Sequence, residues 1–346
     1  MILPIGLLLL LFLFAQWYLV NKNQASTVGD TKQKGVHVFG QLDTTNLQPF
    51  LANNIEWITL VPYAAQKDID SADVTYYRGD SLAMLRRATR WKNQIDIAHV
   101  AGFKVFLKPH IWLTAPTNGK WRSDIFPITE KHWQVWQQDY RAFILHYAKI
   151  AQAHQVEMFC IGTEFSRLSV EKTDFWIRLI QEVRRIYDGK ITYAANWYNE
   201  YEKITFWKEL DYIGIQAYFP LVNNEYPSVQ QISKGWKKHF PAMTTIHKKY
   251  KRKILFTEMG YKSTPDSAIE PWSWIDYTAA QDSPVSMETQ ANCYEAFFNT
   301  VWKKKWFAGV HIWQMRSDFV KGRGKNHLDF TPQGKSAATI ISKGFE

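Results

Sequence analysis

The feature that most constrains the fold is an alternation, repeated eight times, of short β-rich apolar runs with longer segments of helical spacing. Such alternation is typical of βα units, because parallel strands need a crossover helix between them. The predicted strands are residues 36–39, 57–62, 104–110, 158–162, 191–196, 212–218, 254–257 and 309–313. Eight units in 346 residues predict an α/β fold of one domain, a closed (β/α)8 TIM barrel.

The segments between the strands carry apolar residues at intervals of three and four, the spacing of a buried helix face. The clearest stripe, in residues 129–152, consists of Trp133, Trp136, Tyr140, Phe143, Tyr147 and Ile150. A second stripe follows an Asp80-Ser81 cap and consists of Leu82, Leu85, Ala88 and Trp91, and a third consists of Ala291, Tyr294, Phe298 and Val301. Residues 332–342 are predicted to form the last helix.

The first twenty residues differ from the rest of the chain. Residues 2–20 are almost wholly apolar, long enough to span a bilayer, and Gln16 is their only strongly polar member. Neither a Lys or Arg near Met1 nor a clean cleavage site accompanies them, so a cleaved signal peptide and an uncleaved membrane anchor both stay open. Either predicts export, to a periplasmic, extracellular or membrane-anchored location. Residues 21–34 are predicted to form a polar tether, and residues 35–346 the barrel domain.

The net charge of +10 raises the question of nucleic-acid binding. The densest basic runs, at residues 248–253 and 303–305, each precede a predicted strand, where a helix ends and cations are favoured by its dipole. We therefore expect no nucleic-acid partner, and we expect a monomer. The two cysteines, Cys160 and Cys293, are predicted to be buried thiols.

Two predicted strands, the fourth and the seventh, end in a glutamate, Glu164 and Glu258. A carboxylate at the end of an apolar strand is costly to bury, and active sites of (β/α)8 barrels lie at this end of the strands. Glycosidic cleavage uses such a pair, one carboxyl group to protonate the leaving oxygen and one, ionised, to attack or stabilise the sugar. The alternative is a structural ion pair of each glutamate with Lys108 or Arg78.

Alternation of side chains along each strand predicts which other residues face the site. The candidates for substrate binding on strands are Lys108, His110, Asn196, Gln216, Tyr218 and Trp313. In the loops, Trp112, Trp197, Trp272 and Trp274 are candidates for stacking on more distant sugars. No His pair with ligand spacing and no Gly-rich phosphate loop occurs, so we expect neither a metal nor another cofactor.

Four motifs bring out a family resemblance. The segments Ile161-Gly162-Thr163-Glu164-Phe165, Gly214-Ile215-Gln216-Ala217-Tyr218-Phe219-Pro220, Phe256-Thr257-Glu258-Met259-Gly260-Tyr261 and Asp329-Phe330-Thr331-Pro332-Gln333-Gly334-Lys335 resemble those of glycoside hydrolase family 113, in the clan A retaining glycosidases. The resemblance covers roughly residues 35–342 and implies an endo-β-mannanase with Glu164 as acid/base and Glu258 as nucleophile.

One position departs from the wider clan. Many clan members carry Asn before the acid/base, where it contacts the sugar 2-OH, and this chain has Thr163. Asn196, at the end of the fifth strand, is the nearest replacement for that contact. The predicted function is retaining hydrolysis of a β-linked polysaccharide or oligosaccharide, β-1,4-mannan first. The alternatives are another β-glycan, such as a glucan or a hexosamine polymer, and a non-catalytic sugar-binding barrel.

Overall fold

The computed structural model describes residues 31–76, 81–275, 284–319 and 328–346, and within this part the side chains of residues 81–85 and 87 are also not described. The predicted leader, most of the tether, Arg78 and Asp80 therefore lie outside the described residues, and nothing is described of the side chains of Ser81, Leu82 and Leu85. Gln33–Glu346 form one compact unit. In the described part of the chain, every helix is too short or too polar to cross a bilayer.

Eight parallel strands close into a barrel, which confirms the predicted fold. The barrel strands are β1 (Gln33–Phe39), β2 (Trp57–Leu60), β4 (Lys104–Leu107), β6 (Met158–Thr163), β7 (Lys190–Asn196), β8 (Tyr212–Gln216), β9 (Lys253–Met259) and β10 (Phe307–Arg316). Around the barrel they follow the order β1-β10-β9-β8-β7-β6-β4-β2. β1 begins two residues ahead of the predicted domain start at residue 35.

The predicted second and third strands are wrong in their last residues: residues 61–62 lie in no strand, and the third strand ends at Leu107 before a further one begins at His110. β3 (Tyr63–Gln66) and β5 (His110–Leu113) form a separate two-stranded parallel sheet beyond the barrel. The breaks fall at Pro62 and Pro109, where the missing N–H interrupts the ladder. His110 therefore belongs to the small sheet, and Lys108 lies between the two sheets.

The described helices are α1 (Gln48–Leu51), α2 (Ser81–Val100), α3 (Glu130–Ala153), α4 (Ser166–Glu171), α5 (Thr173–Arg184), α6 (Val229–Tyr250), α7 (Met287–Thr300) and α8 (Ser336–Phe345). The predicted stripe of α3 is buried, and Thr129 caps that helix by accepting the N–H of His132 at 3.1 Å. α8 begins four residues later than predicted. Residues 332–335 precede it, and Lys335 Nζ donates there to the Asp329 carbonyl at 3.0 Å.

Two smaller predictions, for the cysteines and for the basic runs, are confirmed. Cys160 and Cys293 are both free and buried. Lys248 and Lys249 lie in the last turn of α6, and residues 303–305 follow the end of α7, as the helix-dipole argument predicts.

Candidate active site

A cavity of about 380 Å³ opens where the barrel strands end, and both Glu164 and Glu258 line it. Its volume is in the range of small-ligand sites. Two further predicted residues at strand ends, Asn196 and Trp313, line the same cavity. The fold therefore brings together at one opening residues that lie up to about 150 positions apart in the sequence.

Glu164 follows the last residue of β6 and is 7% exposed. Its backbone is left-handed, with φ at 58°, and its N–H donates to the Ala194 carbonyl at 2.8 Å. Trp121 Nε1 donates to Oε2 at 3.1 Å, and Arg122 Nε lies 3.1 Å from the same oxygen, an ion pair without hydrogen-bond alignment. Both contacts use one oxygen of the carboxyl group.

Glu258 lies within β9 and is 5% exposed. The Lys108 ammonium donates to Oε1, and the Tyr218 hydroxyl donates to Oε2 at 2.9 Å. Burial, followed by the charge of Glu258, raises the pKa of Tyr218, which keeps the hydroxyl protonated as a donor. Each oxygen of Glu258 is thus held by its own donor.

Two histidines approach the same carboxylate without hydrogen-bonding it. The Nε2 atoms of His37 and His110 lie 3.7 and 3.8 Å from Oε1 of Glu258. Burial, followed by nearby cations, lowers the pKa of both rings well below the usual value, so they are neutral near pH 7. The positive charge against Glu258 is therefore the Lys108 ammonium.

One amide connects the two carboxylates. Gln216 Nε2 reaches Oε1 of Glu164 at 3.5 Å, while its Oε1 accepts from Lys108 Nζ and from Thr257 Oγ1, each at 2.9 Å. Because Gln216 and Lys108 are 1% and 0% exposed, this bridge lies beneath the cavity and not in it.

A comparison with protein families identifies the family of the chain. A family model described as Glycoside Hydrolase Family 113 matches residues 30–335. The chain belongs to glycoside hydrolase family 113. It is therefore a glycoside hydrolase, and its substrate is a carbohydrate. No curated protein sequence matches the chain.

Solved structures of family 113 proteins share its fold. Two structures are described as a GH113 beta-1,4-mannanase, one of them as a complex, and each is 24% identical to this chain. The complex has a TM-score of 0.75 and matches 91% of this chain and 98% of its own. The other has a TM-score of 0.76 and matches 91% of this chain and 99% of its own. GH113 beta-mannanase AaManA from Alicyclobacillus acidocaldarius, in complex with ManMIm, is 24% identical with a TM-score of 0.76, over 91% of this chain and 97% of its own.

In this family 113 enzyme the predicted substrate-binding residues fall into three groups. Tyr218, Asn196, Trp197 and Trp313 line the cavity. Three others, Lys108, His110 and Gln216, are buried beneath it and do not line the space where a sugar would lie. Lys108 and His110 lie against Glu258, and Gln216 lies against Glu164. Trp112 is 49% exposed and does not line the cavity, but its ring meets that of Trp121 edge-on at 6.0 Å.

Aromatic rings form much of the cavity wall. Trp197 stacks on Trp272 at 5.2 Å with an interplanar angle of 28°. Trp274 meets Trp313 edge-on at 6.3 Å and is 61% exposed. Exposed indole faces of this kind suit stacking on sugar rings.

The family 113 enzyme also has site residues that sequence reasoning missed. Trp121 and Arg122 reach Glu164 from the segment after β5, where the guanidinium carbon of Arg122 lies 4.6 Å from the Trp121 ring centre. Arg122 Nη1 also lies 2.7 Å from Nδ1 of His110. The adjacent aromatic and cationic residues were the available signal, but a loop has no periodicity to show which way they point.

Removing the cation beneath Glu258 gives a prediction. Lys108→Met nearly keeps the length of the side chain but leaves a buried carboxylate without its cation. The free energy of unfolding should fall by about 3–5 kcal/mol. We expect kcat/KM to fall by about 10²-fold, because the carboxylate loses the charged donor that offsets its burial and fixes the direction of Oε1.

The matched control is Lys335→Met, since Lys335 is also buried and paired with a carboxylate, Asp329, at 3.2 Å. It should lower the unfolding temperature and leave kcat/KM of the folded enzyme close to that of the wild type. A folded Lys108→Met enzyme with wild-type kcat/KM would show that the contact of Lys108 with Glu258 does not support catalysis.

A third buried carboxyl group, Glu200, was also missed. It is 1% exposed and lies just after β7. Burial, with a smaller contribution from the charge of Glu164, raises its pKa from 4.5 to about 7, against hydrogen bonds that oppose the shift.

This shift predicts a pH-dependent stability. The folded state binds the proton more tightly than the unfolded state, so the contribution of Glu200 to the free energy of unfolding is full below about pH 4.5 and falls as the pH rises through about 7, by at most about 3 kcal/mol. Urea unfolding from pH 4.5 to 8 should show the wild type losing stability relative to Glu200→Gln. A constant difference between the two would contradict the raised pKa.

Proposed function

We propose that the enzyme hydrolyses β-1,4-mannan by a retaining double displacement, with Glu258 as nucleophile and Glu164 as general acid/base. The observation that carries the proposal is that the two carboxylates line one cavity but have different partners. A retaining mechanism needs this difference, because one group attacks as an anion while the other delivers a proton.

The contacts support the assignment of roles. Glu258 accepts from the Lys108 ammonium and the Tyr218 hydroxyl, which stabilise an anion and fix the direction of both oxygens. Glu164 receives its close contacts on Oε2, while its Oε1 has only the 3.5 Å contact with Gln216. Oε1 is therefore the oxygen with fewer donors, and the one on which a proton displaces the fewest contacts.

The choice of mannan has separate support. The family 113 structures that share this fold are described as beta-1,4-mannanases or a beta-mannanase.

The 2-OH contact that many clan members make through Asn would here come from Asn196, which lines the cavity, because Thr163 is buried at 1% exposure.

The test is a panel of mannan, glucomannan, cellulose, xylan and chitosan, with the first anomer released followed by NMR. We expect hydrolysis of mannan and glucomannan with the β-anomer first. Activity on another polymer alone would replace the substrate, release of the α-anomer first would exclude retention, and inactivity on all five polymers would overturn the proposed substrate class.

Trp313 is expected to support a sugar at the cleavage point. It lines the cavity and packs on Phe39 and His37, whose ring centres lie 5.0 and 5.1 Å from its own. Trp313→Ala should lower kcat/KM by about 10²-fold, since misplacing substrate by about 1 Å has that effect. Trp313→Phe, which keeps a ring there, should lose less. A large drop in unfolding temperature with normal activity of the folded fraction would assign Trp313 to the core.

We further propose that residues 2–20 export the enzyme, as signal peptide or anchor, and that the barrel acts as a monomer. Fractionation of cells that express the full chain tests the first, by placing activity in the cytoplasm or outside it. Light scattering of the purified domain tests the second.

A further inference from the structure

Glu200 is a buried carboxylate outside the cavity whose oxygens are fully used. Its Oε1 accepts from the Tyr193 hydroxyl at 2.5 Å and from Ser169 Oγ at 2.9 Å. Its Oε2 accepts from the backbone N–H of Asn196 at 2.7 Å and from Ser166 Oγ at 3.2 Å. Among the described residues these donors are all neutral, so the carboxylate is buried without the cation that would offset its desolvation.

One arm of this network ends at the turn that carries Glu164. The Tyr193 hydroxyl, which donates to Glu200, accepts the backbone N–H of Phe165 at 2.8 Å. Glu164 itself is left-handed, a conformation that costs a non-glycine residue about 1–2 kcal/mol and persists only where neighbours hold it. The turn is held on one side by Ala194 of β7 and on the other by Tyr193 and Glu200.

The other arm ends at Asn196. Glu200 accepts its backbone N–H, and the Asn196 side chain donates to Ser166 Oγ at 2.9 Å. Ser166 in turn donates to Glu200 and is the first residue of α4. A single carboxylate thus connects the backbone beside Glu164 with a residue that lines the cavity.

We propose that Glu200 is a positioning residue that fixes the direction of the Glu164 carboxyl group for proton transfer. The inference rests on the proposed role of Glu164 as acid/base. Glu200 does not line the cavity, so it acts through Tyr193, Phe165 and Asn196 and not on the sugar.

The test compares leaving groups. Glu200→Gln replaces one carboxylate oxygen, which accepts two hydrogen bonds, by an NH2 group, which accepts none. One of the two arms of the network is therefore lost. On aryl β-glycosides of the sugar found active in the panel, we expect kcat/KM for a phenyl leaving group to fall by about 10- to 100-fold. For a 2,4-dinitrophenyl leaving group, which needs little protonation, it should fall less than about threefold.

Two tyrosine variants isolate the arm that reaches Glu164. Tyr193→Phe removes the hydroxyl between Glu200 and Phe165 and should reproduce the same dependence on leaving group, even if Glu200→Gln fails to fold. Tyr187→Phe is the matched control, because the Tyr187 hydroxyl is also buried and donates to the Val156 carbonyl at 2.8 Å. That contact lies before the start of β6 and β7, whereas Tyr193 and Phe165 lie toward the ends of these strands where the cavity opens. It should affect all substrates equally or not at all.

Glu164→Ala, assayed in parallel, separates the two proposals. If it shows no dependence on the leaving group, the proposed role of Glu164 fails. If it does, while Tyr193→Phe and any folded Glu200→Gln lose activity equally on all substrates or not at all, Glu200 is structural and the positioning role is overturned.

Discussion

Glu258→Ala should reduce hydrolysis of every substrate by about 10⁴-fold or more, because no glycosyl-enzyme can form without the attacking carboxylate. The variant should not be rescued by a better leaving group, since departure of that group is not the missing step. Added azide should restore turnover by occupying the space of the lost carboxylate and attacking the sugar directly. The product should be the α-glycosyl azide, because one displacement inverts the β-linkage.

The control for this variant is Glu157→Ala. Glu157 accepts the N–H of Val105 at 2.7 Å and lies at the opposite end of the barrel, just before β6. It should lower stability and leave azide without effect. A β-glycosyl azide from Glu258→Ala would reverse the two roles, and wild-type activity would show that this cavity is not the active site.

Glu164→Ala should reduce hydrolysis of the natural polymer by at least about 10²-fold, the scale of general acid catalysis. Its effect should depend on the substrate, because an aryl glycoside with an acidic leaving group can still glycosylate Glu258. The glycosyl-enzyme then persists, since the base that activates water is also gone. Azide needs no base, so it should release the sugar as the β-glycosyl azide.

Substrate-independent loss in Glu164→Ala, without a response to azide, would contradict the assignment of Glu164. The residue would then be a structural partner of Arg122, which lies 3.1 Å from it. The same assay on Glu258→Ala shows whether azide reaches the cavity at all.

The barrel and the meeting of Glu164 and Glu258 at one cavity could be predicted because both depend on local, periodic signals. A period of two or of about 3.6 residues identifies strands and helices, and the order of βα units fixes which ends of the strands meet. Glu164 and Glu258 follow from this order alone, since each comes at or near the end of an apolar strand.

Lys108 shows where this reasoning stops. The alternation of side chains along the strand correctly predicts that Lys108 points inward. It does not show how deep in the barrel the side chain ends. The chain continues past Pro109 into β5, and the ammonium ends beneath Glu258 at 0% exposure instead of at the sugar. The ion pair with Lys108, weighed from the sequence as an alternative to catalysis, is present together with the features of an active site.

Loop residues were the other gap. Trp121, Arg122 and Glu200 lie in segments without periodicity, where the sequence does not determine the direction of a side chain. Glu200 in addition has neutral partners from β7 and α4, such as Tyr193 and Ser169, and no spacing in the sequence relates them.

The central claim, that Glu258 attacks the sugar, can be tested by trapping the intermediate. A 2-deoxy-2-fluoro-β-mannosyl fluoride slows both steps through its 2-fluorine, while the fluoride leaving group keeps the first step fast enough for the glycosyl-enzyme to accumulate. Digestion and mass spectrometry should find one added fluorosugar on the peptide that contains Glu258, in the wild type and not in Glu258→Ala. A label on the peptide with Glu164, or labelling that survives Glu258→Ala, would contradict the account.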